Sequence, residues 1–449
     1  MKFDLFENRR EIAIFAIIAF AIFAINVGFK FLKFRQFQAQ NSVQIHAKIQ
    51  NFYYKSNKNG KKYLVLKLKT DDFTIYTTSF DAKFNAKIDT IAPNERANFA
   101  INAKISTQNL NFYNFLSQNF YAPSFNRELV LIPTSNLAKF QNFIRAQHTP
   151  NLPLNDPPTQ NPTLTSHAKN SDKIAEFYLA LFLATPISAE LRADITRWGI
   201  AHLVAISGFH IGIIFGTLFF VLHWVYRYFQ ARFFPWRSAK FDISVAIFAL
   251  LFGYLFVLDF VPSYLRSLAM GVFGFILLVR NLRLVSFGNL FIGVAFLIAL
   301  FPSLLFSIGF YFSCLGVFYI FAYCAHFWGK FGNFIDTILL NLFVFLAMNL
   351  PVYFFFETIS AGQLAVIPLS FVFVIFYPLS VILHTFGVGW LLDEYLIAFL
   401  NFKLPIYQTH IPFWLFLASN LLSLGAIWRK EFIFIIAILG FTPLFFIEI

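Results

Sequence analysis

The sequence has little charge and almost no cysteine. Charged residues are 13% of its 449 residues and hydrophobic residues are 58%, a balance that excludes an ordinary soluble globular protein of this length. The two cysteines, Cys314 and Cys324, share one apolar run at a spacing that fits neither a metal knuckle nor a redox pair. The nine histidines lack the spacing of metal ligands, and no Gly-x-x-x-x-Gly-Lys-Ser/Thr phosphate loop occurs. We therefore expect no metal, no cofactor and no ATP hydrolysis in this chain.

Long apolar runs fill the chain instead. Many approach or exceed the roughly 18 to 20 residues that cross a hydrocarbon core of about 30 Å as a helix. The first, from Ile12 to Phe31, ends without a small-residue cleavage site and predicts a retained anchor within residues 1–33, not a signal peptide. The later runs predict spanning segments at 203–226, 241–258, 264–280, 284–301, 304–325, 334–356, 363–386, 388–402, 411–428 and 431–448. The chain is thus predicted to be a polytopic α-helical membrane protein.

The formal net charge of +13 helps to predict the topology. The loop from Arg227 to Lys240 carries four basic residues and no acid, as cytoplasmic loops do. The N-terminus then lies in the cytoplasm, and residues 34–147 lie in the periplasm of a bacterial inner membrane. The basic pair at 429–430 lies inside only if the short, acid-containing segment 388–402 crosses the membrane or an equivalent reversal of the chain occurs, so the charges favour a crossing.

A polar region of short alternating segments separates the anchor from the other spans. We predict strands at 43–54, 61–69, 73–78, 97–105 and 128–132 and a short helix at 110–120. These elements suit an all-β, oligonucleotide-binding (OB)-like extramembrane domain over residues 34–147. An extended Pro/Asn/Thr-rich linker is predicted at 148–172, and an amphipathic helix at 174–184 and a polar helix at 190–198 open the multispanning domain at 173–449.

The first two predicted strands are basic and aromatic. Between Val43 and Thr70 there are seven lysines and no acid, with aromatic residues interleaved. Basic groups that follow a phosphate backbone, beside rings that stack on bases, suit sequence-tolerant binding of single-stranded nucleic acid. The candidate strand-binding residues are Lys55, Lys58, Lys61, Lys62, Lys67, Tyr53, Tyr54 and Tyr63. An ordinary solvated hairpin, with core tyrosines and edge-protecting lysines, is the alternative.

The most informative stretch runs from Gly199 to Gly212. It reads Gly-Ile-Ala-His-Leu-Val-Ala-Ile-Ser-Gly-Phe-His-Ile-Gly and resembles, at each defined position, the pattern that opens the channel domain of the ComEC competence family. Pro262–Ser267 is similar to the family's Pro-Ser-x-x-Arg-Ala element, with serine in place of alanine. Ser307–Ser313 is similar to its Pro-Gly-Phe-x-Leu-Ser element, with phenylalanine in place of leucine, and Gln363–Pro378 shows a weaker likeness.

The resemblance implies a channel that passes single-stranded DNA across the inner membrane during natural transformation. It implies as partners a periplasmic DNA-receptor protein, a cytoplasmic motor or helicase, and strand-binding proteins, and it leaves a homo-oligomer open. Many family members end in a metallo-β-lactamase-like domain. This sequence contains no His-x-His-x-Asp-His cluster, so nuclease activity is not expected within it.

Six residues in these motifs are candidates for the DNA path: His202, Ser207, Gly208, His210, Gly212 and Arg266. Gly208, Gly212 and Gly216 recur on one helix face, where small residues let helices pack closely, and this packing is the favoured interpretation. A helix break at Ser207 would offer backbone N–H groups and a positive dipole end to a phosphate. An internal backbone hydrogen bond is the alternative for Ser207.

The charged and titratable candidates also have structural alternatives. His202 and His210 lie near one predicted membrane face. They either contact the passing strand or are structural histidines of the interface whose ring nitrogens are hydrogen-bonded. Arg266 is a natural phosphate ligand, or it forms a structural ion pair with Asp259. A solvated helix face, and not part of the channel mouth, is expected for Arg192, Asp194 and Arg197.

Two other functions fit the residues less well. A membrane enzyme acting on a lipid-linked or nucleotide phosphate, with His202, His210 and Arg266 as acid, base and clamp, requires a carboxylate or metal cluster at the same depth. None stands out in the sequence. A small-solute secondary transporter would favour inverted repeats around a midplane site, and no repeat is evident.

Overall fold

The computed structural model describes residues 9–56, 62–70, 73–90, 99–108, 110–131, 136–148 and 162–448. The chain divides into two compact units. One comprises residues 6–140 and 292–311, and the other comprises residues 1–5, 141–291 and 312–449.

The first unit begins with one long apolar helix, α1 (Arg9–Ala39). At 1.5 Å per residue its 31 residues extend about 46 Å, more than a bilayer core requires. It is a candidate membrane span, so the apolar helix predicted from Ile12 to Phe31 is confirmed. Its last turns place Phe34 and Phe37 against Phe115, at ring-centroid distances of 5.6 and 5.7 Å, so the helix end contributes to the core of the β domain.

The β domain consists of β1 (Ser42–Ser56), β2 (Lys62–Lys69), β3 (Thr74–Ser79), α2 (Ala82–Asp89), β4 (Phe99–Ser106), α3 (Phe112–Leu116), β5 (Asn119–Tyr121) and β6 (Ser124–Leu131). Alternate residues of β2, the leucines Leu64, Leu66 and Leu68, are at most 1% exposed, as expected for a strand with one face on the core. The five predicted strands are confirmed apart from shifts at their ends. The helix α2 and the short strand β5 were not predicted.

The six strands form one sheet in the order β5-β3-β2-β1-β4-β6. β5 runs parallel to β3, β6 runs antiparallel to β4, and only Ala122 and Pro123 separate β5 from β6. Arg127 links β6 to β3, since Nη2 donates to the carbonyl oxygen of Thr78 at 2.6 Å and Nε donates to Oγ of Ser124 within β6 at 2.7 Å. The two edge strands are therefore almost consecutive in the chain, and a half-buried guanidinium of β6 hydrogen-bonds to β3, the neighbour of β5.

The remaining helices, in chain order, are α4 (Asn136–His148), α5 (Pro162–Leu183), α6 (Ala189–Arg197), α7 (Ala201–Val204), α8 (Gly208–Phe233), α9 (Ala239–Val257), α10 (Pro262–Val279), α11 (Phe287–Leu300), α12 (Ile308–His326), α13 (Asn333–Phe356), α14 (Val366–Thr385), α15 (Asp393–Asn401), α16 (Phe413–Gly425) and α17 (Glu431–Leu439). Within the described ranges, α8, α9, α10, α12, α13 and α14 with the preceding turn from Ala361 are long and apolar enough to cross a membrane. With α1 they make seven candidate spans. The protein is therefore a multi-pass membrane protein.

Four predicted spans differ from the structure. The segments 284–301, 411–428 and 431–448 contain the shorter apolar helices α11, α16 and α17. The segment 388–402 forms a 3-10 turn and then α15, whose nine residues extend about 14 Å, less than half of a hydrocarbon core. This helix is too short to cross a hydrocarbon core by itself, and the crossing that the loop charges favoured stays a prediction.

The region predicted as an extended linker is partly helical. Residue 148 ends α4, which was not predicted, and α5 begins at Pro162. Proline suits the first turn of a helix, where its missing N–H has no intrahelical partner to lose. Residues 162–172 therefore continue into one helix with the segment predicted at 174–184, and residues 149–161 lie outside the described residues.

A small sheet joins three distant segments, β7 (Thr358–Ile359), β8 (Tyr407–Thr409) and β9 (Ile447–Glu448), in the order β7-β8-β9. β7 follows α13, β8 precedes α16 and β9 comes after α17, so this sheet gathers the ends of three helices. Buried side chains from these segments, including Tyr353, Ile359 and Leu415, form a common core beneath it.

Candidate functional site

The signature stretch folds as two helices with a break between them. Gly199, which precedes α7, has φ +67°, a left-handed conformation that glycine adopts without strain. After α7, Ala205 and Ser207 are extended, and α8 starts at Gly208. The structure therefore has the helix interruption that was one of the two interpretations of Ser207.

His210 fixes the start of α8. Its Nδ1 accepts a hydrogen bond from the backbone N–H of Ser207 at 3.2 Å, a reciprocal contact across the first helical turn. The ring is fully buried against Phe373 and Tyr377 of α14, with ring centroids at 5.2 and 5.0 Å. In the neutral ring the proton then lies on Nε2. His210 thus orients the helix from within the protein interior.

An open apolar groove follows the glycine face of α8. Its volume is about 580 Å³, and it is lined by Gly208, Phe209, Gly212, Ile213, Gly216, Thr217, Phe220 and Val374. A Cβ at Gly212 or Gly216 would meet no atom within 4 Å, whereas one at Gly208 would lie 3.7 Å from Oγ of Ser267 on α10. Close helix packing, the role expected of all three glycines, therefore holds within this chain at Gly208 and is wrong at the other two.

The remaining candidates lie beside the groove, not in its lining. His202 on α7 is exposed and lies close enough to His210 for their charges to interact. Arg266 lies half-buried on the second turn of α10, near Cys314 of α12. Around the start of α8 the structure gathers His202, Ser207, Gly208, His210 and Gly212, and it places Arg266 on the neighbouring helix.

A buried ion-pair network holds the helix that precedes the signature. Asp194 on α6 is 3% exposed, and its Oδ2 lies 2.6 Å from Nζ of Lys173 on α5. Its other oxygen accepts a hydrogen bond from Arg197, and Nζ of Lys173 also donates to Oδ1 of Asn401 on α15 at 3.1 Å. The solvated face expected for this helix is therefore wrong at Asp194 and Arg197, because Lys173 covers the carboxylate. Arg192, on the same helix, is exposed.

Gln363, for which no role was predicted, holds the turn before the signature. Gln363 is 7% exposed, and its Nε2 donates to the carbonyl oxygens of Thr196 and Thr358, each at 3.1 Å. Its Oε1 accepts a hydrogen bond from the hydroxyl of Tyr353 at 2.5 Å. A Cβ at Gly199 would lie 3.2 Å from Gln363, so the two residues are closely packed. In the sequence, the signal for this residue was the weak resemblance of the segment Gln363–Pro378 to the ComEC family.

The break, the groove and Asp194 of the buried network lie in the part of the chain that matches a known family, whereas Lys173 precedes it. The model of the competence protein family matches residues 184–447, more than half of the chain. The chain belongs to the competence protein family. The ComEC resemblance of the Gly199–Gly212 motif is confirmed, and this family has a role in DNA uptake for competence. No curated protein and no solved structure matches the chain.

In this competence protein the β domain lies outside the matched region and presents basic and aromatic side chains on its outer surface. The strand register aligns Lys55 with Tyr63 and Lys67 with Tyr76, on the sheet face opposite the core leucines of β2. Tyr53 lies on the same face, since it is two residues from Lys55. Nζ of Lys55 lies 5.8 Å from the ring centroid of Tyr53, and Nζ of Lys67 lies 5.6 Å from that of Tyr76.

Two tyrosines extend this surface beyond the predicted set. Tyr76 of β3 is aligned with Tyr121 of β5, and Tyr121 is 55% exposed. Because β5 was not predicted, its pairing with β3 was not available from the sequence. We call the surface formed by these side chains the basic face, and its members are Tyr53, Lys55, Tyr63, Lys67, Tyr76 and Tyr121.

The other candidates for strand binding in the competence protein, Tyr54, Lys58, Lys61 and Lys62, are not members of the basic face. Tyr54 points to the opposite side, where its hydroxyl donates to Oδ2 of Asp89 on α2 at 2.7 Å. This hydrogen bond raises the pKa of Tyr54 to about 12. Lys62 is exposed at the start of β2, and Lys58 and Lys61 lie outside the described residues.

Proposed function

We propose that this protein is the inner-membrane channel that carries single-stranded DNA into the cytoplasm during natural transformation. One observation carries the proposal. The family signature, the N-terminus of α8 at Gly208 and an open groove along the helix coincide at one place in the second unit. Membership of the competence family supplies the role in DNA uptake, and this groove supplies a candidate path.

The DNA path is proposed to follow the glycine face of α8. Glycine leaves the helix backbone accessible, so a bulky polyanion passes where side chains would otherwise project. At the mouth, the first turn of α8 offers backbone N–H groups and the positive end of the helix dipole to phosphate oxygens. Arg266 on the adjacent helix adds a cation, and the lining groups of a channel decide what it passes.

The protein is proposed to span the bacterial inner membrane with its N-terminus in the cytoplasm and its β domain in the periplasm. The support is the stretch from Arg227 to Lys240 between α8 and α9, which carries four basic residues and no acid, although Asp242 in the first turn of α9 pairs with Arg237. Cytoplasmic connections carry such an excess, and the orientation of the first spans follows from it.

The β domain is proposed to be an OB-like barrel that binds the strand before it enters the channel. If β5 and β6 are counted as one strand interrupted at Ala122 and Pro123, the domain has five strands that close on themselves. This pattern fits the small Greek-key barrel whose outer strands bind oligonucleotides. The basic face supports stacking on bases and contact with phosphates without sequence preference.

Single-stranded DNA is the proposed substrate. A periplasmic DNA-receptor protein is the proposed donor, and a cytoplasmic motor or helicase with strand-binding proteins is proposed to draw the strand inward, since the chain contains no phosphate loop. A homo-oligomer is part of the proposal, to be tested by native mass spectrometry of the purified protein.

Charge reversal on the basic face should weaken the binding of single-stranded DNA by the purified full-length protein. The double variant Lys55→Glu/Lys67→Glu removes two cations, so the slope of log affinity against log salt should fall by about 1.4, at ~0.7 per phosphate contact on a single strand. Fluorescence anisotropy with a labelled oligonucleotide measures this slope. The matched control is Lys83→Glu/Lys87→Glu, which reverses two exposed lysines of α2 away from the face. An equal loss in both variants would contradict the assignment.

The channel proposal is tested by separating capture of DNA from its arrival in the cytoplasm. A strain that lacks the gene is compared with the same strain carrying the intact gene, and labelled DNA is followed in the periplasm and in the cytoplasm. We expect DNA to reach the periplasm in both strains and the cytoplasm only in the complemented strain. Normal cytoplasmic arrival without the protein would refute the proposal.

A further inference from the structure

A buried group of three titratable side chains lies apart from the proposed DNA path. It consists of His148 at the end of α4, His384 near the end of α14 and Asp393 at the start of α15. Nδ1 of His148 lies 2.9 and 3.0 Å from the two carboxylate oxygens of Asp393, and its Nε2 lies 3.0 Å from Nε2 of His384. His148 and His384 are 3% and 5% exposed, so these contacts are made away from water.

The hydrogen-bond acceptors around the group fix the number of protons that it holds. Nδ1 of His384 lies 2.7 Å from the carbonyl oxygen of Ser380, which can only accept, so this nitrogen carries a proton. An ionised Asp393 also only accepts, so Nδ1 of His148 carries a proton. Two neutral rings would then direct both Nε2 lone pairs at each other across 3.0 Å, which is repulsive. One additional proton turns this contact into a hydrogen bond.

With that proton the group is electrically balanced. Together the two rings carry one positive charge, and Asp393 carries one negative charge. Placing the proton on the carboxyl oxygen instead gives the same total number of protons and the same net charge of zero. A buried charge is costly unless it is paired, so the balanced state is the favoured one.

The neighbouring side chains hold the two histidines in place. The ring of Tyr178 on α5 stacks on His148 at 4.9 Å and 9° and lies 4.5 Å from His384. Nε2 of Gln147 donates to the carbonyl oxygen of His384, and its Oε1 accepts from the N–H of Gly389, each at 3.0 Å. The group therefore joins α4, α14 and the turn before α15.

The other titratable groups nearby are distributed over the packed elements. On α4, Arg145 interacts with Asp172 and Glu176 of α5, so its charge is balanced there. Tyr178 is the titratable side chain of α5 that touches the histidines, and Tyr377 lies two turns before His384 on α14. Glu394 on α15 is exposed to solvent. None of these contacts supplies a second counter-charge to the two rings.

We propose that His148 and His384 share one proton as a buried imidazole–imidazolium pair, neutralised by Asp393, and that this proton holds the end of α4 against α14 and α15. Loss of the proton leaves a net negative charge and two opposed lone pairs. Gain of a second proton leaves a net positive charge and two opposed N–H groups. Either change opens the contact, so its stability passes through a maximum as pH is varied, as for other coupled pairs.

The test is nitrogen NMR of the purified full-length protein in detergent micelles, with ¹⁵N-labelled histidine, from mildly acidic to mildly alkaline pH. At neutral pH we expect one imidazolium-like ring and one neutral ring linked through their Nε2 atoms. The signals of the linked pair should be lost in His148→Gln and in His384→Gln, because each variant removes one of the two rings. His46→Gln is the matched control, because His46 hydrogen-bonds to Asn102 in the β domain and lies outside the group. It should leave both signals unchanged.

The wild-type spectrum alone keeps the proposal falsifiable if the variants do not fold. Two neutral rings at neutral pH, or two rings that titrate independently, would overturn it. A metal ion that co-purifies and whose removal by a chelator shifts both signals would overturn it in favour of a metal site. Asp393→Asn gives a second test, since without the counter-charge the shared proton should be released at a lower pH. An unchanged release would refute the role given to Asp393.

Discussion

Filling the groove at Gly212 is expected to abolish DNA uptake without unfolding the protein. In Gly212→Phe the new ring projects into the space between Gly208 and Gly216, because a Cβ at this position meets no atom within 4 Å. The folded structure therefore accommodates the side chain, and the proposed path does not. Transformation frequency should fall by about a hundredfold or more, since the lining of a narrow conduit decides what passes. Marker transfer per cell, normalised to the amount of membrane protein, measures this effect.

The chain offers a closely matched control for this variant. Gly253 on α9 also has no atom within 4 Å of a Cβ, and it does not line the groove. Gly253→Phe adds the same apolar surface to a spanning helix and should transform normally. If both variants transform normally at normal protein levels, the strand does not follow the glycine face of α8. If both fail, the added bulk acts on folding or insertion and not on the groove.

The parts of the fold that depend on local pattern were predictable. β2 alternates leucine with other residues, and this period of two gives both the strand and its core face. The long spans follow from apolar length alone, and the match of Gly199–Gly212 to a family motif marked the right place for the helix break. Where length was marginal, as at 388–402, the loop charges favour a crossing that the nine residues of α15 are too few to make alone, because loop charges do not report helix length.

The parts that depend on distant partners were not predictable. Asp194 looks like a solvated helix residue until Lys173 is placed over it, and no local pattern pairs the two. The same holds for His148 and His384, which meet only because α4 ends beside α14. Glycine spacing on α8 predicted helix packing, yet spacing does not say whether a partner helix is present. Gly212 shows that the same motif also leaves an open surface.

Removal of the Asp194 carboxylate is expected to be the most destabilising single substitution near the signature. In Asp194→Ala, the ammonium group of Lys173 stays 7% exposed without its counter-charge, and Arg197 loses its partner on the same helix. Breaking a buried ion pair from one side costs about 3–5 kcal/mol, because the remaining charge is desolvated and unpaired. The thermal midpoint of the purified protein should therefore fall, and DNA uptake should fall with it, because α6 leads directly into the signature.

Two further variants separate charge from the loss of packing. Arg192→Ala truncates an exposed residue of the same helix and should change stability by no more than about 0.5 kcal/mol. The double variant Lys173→Met/Asp194→Leu removes these two charges and keeps apolar volume, so it should recover the part of the lost stability that comes from the unpaired ammonium of Lys173. Arg197 also loses Asp194 in this variant but keeps its hydrogen bond to the carbonyl oxygen of Leu404. A double variant as unstable as Asp194→Ala would mean that the specific geometry of the ion pair, and not the unpaired charge, holds α6 in place. An Asp194→Ala protein as stable as Arg192→Ala would mean that the network contributes nothing to the folded state.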